Sequence, residues 1–219
     1  MPGSTIEPTF VELLQKQRIV AIIREKTAEA AIEVGERFLA AGVHLIEVSL
    51  VTPAAIDVID ALSERASMLV NSRIGGGTVL KVSDVESIRK AGGTFVLSPV
   101  FDHEVVAAAL AAGVAVVPGC ATPSEMLDAA NHGADVVKIF PASNWTPGSL
   151  RDLLQALPDL KLLPTGGVTE DNVADWLESG AIGVGLGSVL KRMDDAGIRN
   201  LLDGQSRLNP VNHDDGSGQ

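Results

Sequence analysis

One phrase recurs along this chain and limits what it can fold into. A helix-like segment ends in a small residue plus glycine, and a β-branched run begins at once. The phrase stands at Ala41-Gly42 before 43–50, Ala91-Gly92 before 94–97, Ala112-Gly113 before 114–117, Gly133 before 136–140 and Gly180 before 182–186. A glycine just past a helix takes the left-handed conformation that ends it. The runs that follow are dense in Ile, Val and Leu, as parallel strands buried on both faces are. Thr27, Thr122 and Thr169, each followed by acidic residues, mark helix starts between them.

Apolar runs at about 19–23, 44–50, 68–74, 94–98, 114–117, 136–140, 161–165 and 182–186 make eight candidate strands, each followed by a helix-like segment. Eight βα units in 219 residues leave only short loops, which fits a (β/α)8 TIM barrel better than an open doubly wound sheet. An extra amphipathic helix is expected before the first strand, at about 8–17. After Arg192 the pattern decays, and 206–219, rich in Asn, Asp, Gly and Ser, read as a disordered tail. A single barrel domain over 1–205 is the expected organisation.

Composition removes several function classes. The net charge is −11, with 28 acidic against 17 basic residues, and aromatic content is 3% with no tyrosine. That argues against a nucleic-acid groove or a base-stacking surface. The uncharged stretch 105–121 is broken by Gly113, Pro118 and Gly119, so no membrane span is expected. No secretory signal is visible at the N-terminus, and a cytoplasmic home is the default expectation. Cys120 is the single cysteine, and no disulfide forms within such a chain.

Barrel chemistry gathers at the C-terminal ends of strands, so polar residues interrupting the apolar runs there are the candidates. Lys138 lies in the most apolar segment, Val136-Val137-Lys138-Ile139-Phe140-Pro141. Burial lowers a lysine pKa, and a neutral amine is the nucleophile for a Schiff base. Two orientations stay open: into the barrel, or outward between strand and helix in an ordinary ion pair. Glu47 interrupts Leu45-Ile46-Glu47-Val48, where a raised pKa suits a general acid/base; a salt bridge to a neighbouring lysine is the other reading. Thr165-Gly166-Gly167 and Gly187-Ser188 follow the last two strands, where barrels bind phosphate, although glycine also serves plain tight turns. Gly75-Gly76-Gly77-Thr78 reads as a separate loop after the third strand, without a P-loop ending. Arg24 ends the first strand, as a carboxylate partner or in a surface pair with Glu25. His44, His103, His132 and His213 show no metal-ligand spacing, and no metal site is expected. Trp145 and Trp176 are expected to pack.

These residues resemble the class I 2-keto-3-deoxy-6-phosphogluconate aldolases and the related 4-hydroxy-2-oxoglutarate and galactonate-branch aldolases. The resemblance runs from Ile19 to Leu190. It is carried by Ile22-Ile23-Arg24, Gly42-Val43-His44-Leu45-Ile46-Glu47-Val48, Gly75-Gly76-Gly77-Thr78-Val79-Leu80, Leu97-Ser98-Pro99, Pro118-Gly119, Lys138-Ile139-Phe140-Pro141, Pro164-Thr165-Gly166-Gly167-Val168 and Gly185-Leu186-Gly187-Ser188, in order. The resemblance implies a cofactor-free homotrimer in which Lys138 forms the Schiff base and Glu47 shuttles protons. Thr78 and the Gly77 backbone would hold the carboxylate of a keto-acid phosphate substrate, with Thr165 beside it. Pro99 and Phe140 would wall the pocket. Gly166, Gly167, Gly187 and Ser188 would take the phosphate.

One departure stands out. Much of the gluconate branch carries an arginine four positions after the glutamate; here that position is Val51. Other members carry an arginine after the first strand, so the resemblance points to Arg24 as the carboxylate anchor. Arg24 and Cys120-Ala121-Thr122 look nearer the galactonate branch, whereas Thr165 resembles the gluconate branch. The segment after the last strand looks shorter than the family's usual closing helix. A phosphosugar isomerase or epimerase barrel, and a catalytically silent sugar-acid-binding trimer, are the rival readings.

Overall fold

The computed structural model describes residues 8–206. Helix α1 (Phe10–Gln17) leads into β1 (Ile19–Ile23), α2 (Ala28–Ala40), β2 (Leu45–Ser49), α3 (Ala55–Ser67) and β3 (Arg73–Gly77). Then come α4 (Val82–Lys90), β4 (Phe95–Leu97), α5 (His103–Ala111), β5 (Ala115–Val117), β6 (Gly119–Cys120), α6 (Pro123–Asn131) and β7 (Val137–Ile139). The described residues finish with α7 (Pro147–Ala156), β8 (Leu162–Pro164), α8 (Val173–Glu178), β9 (Val184–Leu186), α9 (Ser188–Arg192) and α10 (Asp195–Ser206). Side-chain oxygens of Thr27, Asp102, Thr122 and Thr146 accept backbone N–H groups at the starts of α2, α5, α6 and α7. Such caps are worth about 1 kcal/mol each. Among the described residues no helix is long and apolar enough to cross a membrane.

The strands pair in parallel, in one sheet ordered β5-β4-β3-β2-β1-β9 and another ordered β6-β7-β8. The sheets meet at both ends. Thr165 bridges to Gly185, beside β8 and β9. At the other end β5 and β6 are one extended run interrupted at Pro118, whose carbonyl accepts from Lys138 N at 2.9 Å. Proline donates no ladder hydrogen bond, so the run splits there. The result is a TIM-barrel-like α/β fold.

Side chains alternate between two cores. Ile19, Ala21, Ile46, Val48, Val137 and Ile139 face the helices, whereas Val20, Leu45, Phe95, Leu97, Val117, Val136 and Leu163 fill the interior. Helix α1 closes one end of that interior with Leu13 and Leu14, and the Phe10 ring stacks 4.9 Å from Phe95. Gln17 holds α1 in place by donating to Gly42 O at 2.8 Å and accepting from His44 N and Leu45 N.

Three expectations need correction. The third strand is at Arg73–Gly77, not 68–74: Met68 and Val70 are 76% and 82% exposed. Apolar counting missed the strand because its sequence is Arg-Ile-Gly-Gly-Gly, and the glycines presumed to form a loop are the strand. They are needed there, since a Cβ on Gly75 would strike Phe95 and one on Gly76 would strike Ile88. The pattern does not decay after Arg192. Helix α10 spans 12 residues, with Ile198 and Leu201 buried and Leu202 packed against the core. Ser206 ends α10, so a tail from 206 is wrong by that residue; 207–219 lie outside the described residues.

Candidate active site

Alternation decides which way the candidate side chains point. Lys138 shares parity with interior Val136, and Glu47 with interior Leu45, so both point into the barrel. The outward reading of Lys138 is thereby excluded. Lys138 is 5% exposed and Glu47 2%. Both line a cavity of about 630 Å³, with Arg24, Thr78, Pro99 and Phe140. Thr165, Gly166, Gly167, Gly187 and Ser188 line the same cavity. A hollow of about 660 Å³ elsewhere, near Met68 and Asn71, has Arg73 as its sole ionisable lining residue among the described residues.

Gly77 is the one candidate outside the lining, and its lack of a side chain leaves room for Glu47. A Cβ there would overlap the Glu47 carboxylate, which lies across the Gly77 backbone. Gly77→Ala is therefore expected to displace Glu47 and lower kcat by about 10²-fold, the cost of a misplacement near 1 Å. Steady-state kinetics beside a thermal melt checks this; unchanged kcat in a folded variant would show that Glu47 placement is not critical. The inward positions of β9 and its flanks are also glycines. A Cβ on Gly185 would meet Thr165, and one on Gly183 would meet Leu14.

The electrostatics follow from burial. Removal from water pushes the Glu47 carboxyl up, against the pull of Lys138 and Arg24. The same cause pulls the Lys138 ammonium down, with Glu47 opposing and Arg24 adding to the fall. Each group is thus biased toward its neutral form, as a nucleophilic amine and a general acid require. Glu47 Oε2 is buried with no protein hydrogen-bond partner, so it is available to a substrate hydroxyl or a water. The Lys138 Nζ sits 4.7 Å from the centre of the Phe140 ring, a cation–π distance for the charged form.

Thr78 has φ +61°, unusual for a β-branched residue, and its Oγ1 lies 2.8 Å from Ser49 Oγ. The sequence reading missed Ser49, which is fully buried on the same strand face as Glu47; the two-residue spacing was the available signal. It also missed Lys191, which lines the cavity and pairs with Glu25. Nothing in the local pattern brings α9 beside the first strand. Glu25 therefore pairs with Lys191, while exposed Arg24 turns to the cavity mouth. Val51 is 55% exposed and does not line the cavity.

Other candidates fall away. The buried Cys120 thiol is pushed up to about 12, chiefly by desolvation, and is no nucleophile at neutral pH. His44 Nδ1 is 3.0 Å from Ser72 Oγ, outside the site. Trp176 is buried in the helix-side core and Trp145 packs against it. The histidines have no metal-ligand spacing in the linear sequence, but the fold gathers His103, Asp128 and His132, with ligand atoms within 4.8 Å of one another. Linear spacing hid this because two helices contribute.

Fold and site together define a class, TIM-barrel-like proteins whose cavity is built around a buried amine and a buried carboxyl at the strand C-terminal ends. Residues 10–200 match the family model of the KDPG and KHG aldolases, and the chain belongs to that family. It is 35% identical over 182 residues to a 2-dehydro-3-deoxy-6-phosphogalactonate aldolase of Escherichia coli (strain K12), covering 81% of this chain and 86% of that one. It is 34% identical over 166 residues to a 2-dehydro-3-deoxy-phosphogluconate aldolase of Pseudomonas aeruginosa, covering 75% and 74%. Among solved structures it resembles the KDPG aldolase of Legionella pneumophila with pyruvate captured as a covalent carbinolamine. That match has TM-score 0.74 and 26% identity, over 90% of this chain and 97% of that one.

Proposed function

We propose that this chain is a class I aldolase that cleaves 2-keto-3-deoxy-6-phosphogluconate to pyruvate and glyceraldehyde 3-phosphate, with the galactonate epimer and 4-hydroxy-2-oxoglutarate as related substrates. The observation that carries this reading is Lys138: an amine 5% exposed, inside the barrel, in one cavity with Glu47. The neutral amine adds to the C2 carbonyl to give a carbinolamine, which loses water to form an iminium. That cation lies beside Glu47 and favours its ionised form, so the carboxylate can take the C4 hydroxyl proton. The C3–C4 electron pair moves toward the iminium, the aldehyde leaves, and an enamine remains. Protonation at C3 and hydrolysis release pyruvate and restore Lys138. The iminium is the electron sink, so the reaction needs no metal and turnover should persist in chelator.

Arg24 at the mouth, with Thr78 held by Ser49, is the proposed carboxylate anchor in place of the arginine that Val51 cannot supply. The phosphate would lie on Gly166, Gly167, Gly187 and Ser188. Losing a charge-assisted hydrogen bond costs about 1.5–3 kcal/mol. Arg24→Ala is thus expected to raise the pyruvate KM in the condensation direction by roughly ten- to a hundredfold. A surface pair would be worth under about 1 kcal/mol, so an unchanged KM would remove Arg24 from this role. Side-by-side kcat/KM values on the gluconate and galactonate substrates test the stereochemical preference, for which Thr165 supports the gluconate reading and Arg24 with Cys120-Ala121-Thr122 the galactonate one.

The wider architecture of this reading is a closed (β/α)8 barrel in which β5 and β6 count as one strand, with α1 as an extra N-terminal helix and a single domain over 1–205. A homotrimer is the assembly that the family resemblance favours. Light scattering on the purified protein tests the trimer.

A further inference from the structure

Away from the catalytic cavity, two histidines and one aspartate converge on the protein surface. His103 opens α5, Asp128 lies in α6, and His132 caps the end of α6. His103 Nε2 is 3.7 Å from Asp128 Oδ2, and His132 Nδ1 is 3.2 Å from Asp128 Oδ1. The two imidazole rings meet edge-on with centroids 4.3 Å apart, and the Phe101 ring lies 4.5 Å from His103 and 5.7 Å from His132. None of the three lines the catalytic cavity.

Zinc holds imidazole nitrogen and carboxylate oxygen at about 2.0–2.2 Å in tetrahedral geometry, which places neighbouring ligand atoms roughly 3.3–3.6 Å apart. The two distances to the Asp128 oxygens fall on either side of that range. Two imidazoles and one carboxylate form a donor set suited to zinc and similar first-row divalent ions. His132 Nδ1 also lies 2.8 Å from the Asp128 carbonyl oxygen, so that ring is held against its own helix. A cation would take that nitrogen in place of the hydrogen bond, or take Nε2 with the bond kept. All three side chains are about half exposed, at 57%, 48% and 46% for His103, Asp128 and His132, so an ion has an open approach.

We infer that His103, Asp128 and His132 form a surface site for a zinc-like divalent cation that clips the start of α5 to the end of α6. Its role is structural, because the site shares no residue with the catalytic cavity. Because the ligands come from two helices, the bound ion favours the folded arrangement and stabilises it by mass action.

The test uses the untagged full chain and zinc chloride. Isothermal titration should give one zinc per chain. At about a hundredfold excess over Kd, the melting temperature should rise by roughly 5–10 °C. His103→Ala, His132→Ala and Asp128→Asn should each weaken zinc binding about tenfold or more. His213→Ala should leave it unchanged. Asp128→Asn keeps the side-chain size, so the comparison stands if an alanine variant is less stable. Absence of saturable binding, binding that survives all three substitutions, or binding lost only in His213→Ala would each overturn the site.

Discussion

Borohydride added together with pyruvate will attach a reduced three-carbon unit to Lys138 and to no other lysine, and turnover will stop. An iminium is reducible, and only an amine that is neutral at working pH forms one readily. Lys138 is the lysine that burial pulls down. Peptide mapping by mass spectrometry locates the label; label spread over several lysines, or absent from Lys138, would sink the Schiff-base mechanism. Lys138→Met should lower kcat/KM by roughly 10⁴–10⁶-fold, the scale of losing a covalent nucleophile. The variant should stay folded, since an apolar chain replaces a buried amine and burial lets Glu47 remain protonated. Trapping also has a pH signature. The rate should climb to a half-point below the ordinary lysine value of about 10.4. Arg24 pulls Lys138 down, so Arg24→Ala should move that half-point to higher pH. Glu47 holds Lys138 up, so Glu47→Gln should move it to lower pH.

Glu47→Gln should cost roughly 10²–10⁴-fold in kcat, the usual contribution of a general acid/base, while much of the affinity for pyruvate is kept. Glutamine has nearly the same shape and fits the space that Gly77 leaves, so substrate binding and proton transfer separate. The raised carboxyl matters at two stages. As a neutral acid it tolerates its buried place; beside an iminium it ionises and can accept the C4 hydroxyl proton. Turnover of the variant within a few-fold of the parent would assign the proton transfers to another group. Trapping by borohydride should be slower in this variant but still fall on Lys138, because the attacking amine is Lys138 and Glu47 only moves protons.

The sequence alone determined the order of strands and helices, because helix-ending glycines and short Ile/Val/Leu runs are local signals. It also marked Lys138 and Glu47, because a charge inside an apolar run is costly wherever the run is buried. Composition and periodicity failed at β3, where three glycines carry no hydropathy signal and are explained only by Phe95, Ile88 and Glu47 packing against them. They failed again at α10, whose apolar positions are sparse and acquire meaning by packing on the rest of the fold. Tertiary structure alone decided that Lys138 faces inward, since strand parity is relative until one core position is placed. It also decided that Ser49 braces Thr78, that Lys191 pairs with Glu25, and that His103 meets Asp128 and His132. Those contacts join residues from separate βα units, and no short-range pattern encodes a distance that exists only once the strands have closed side by side.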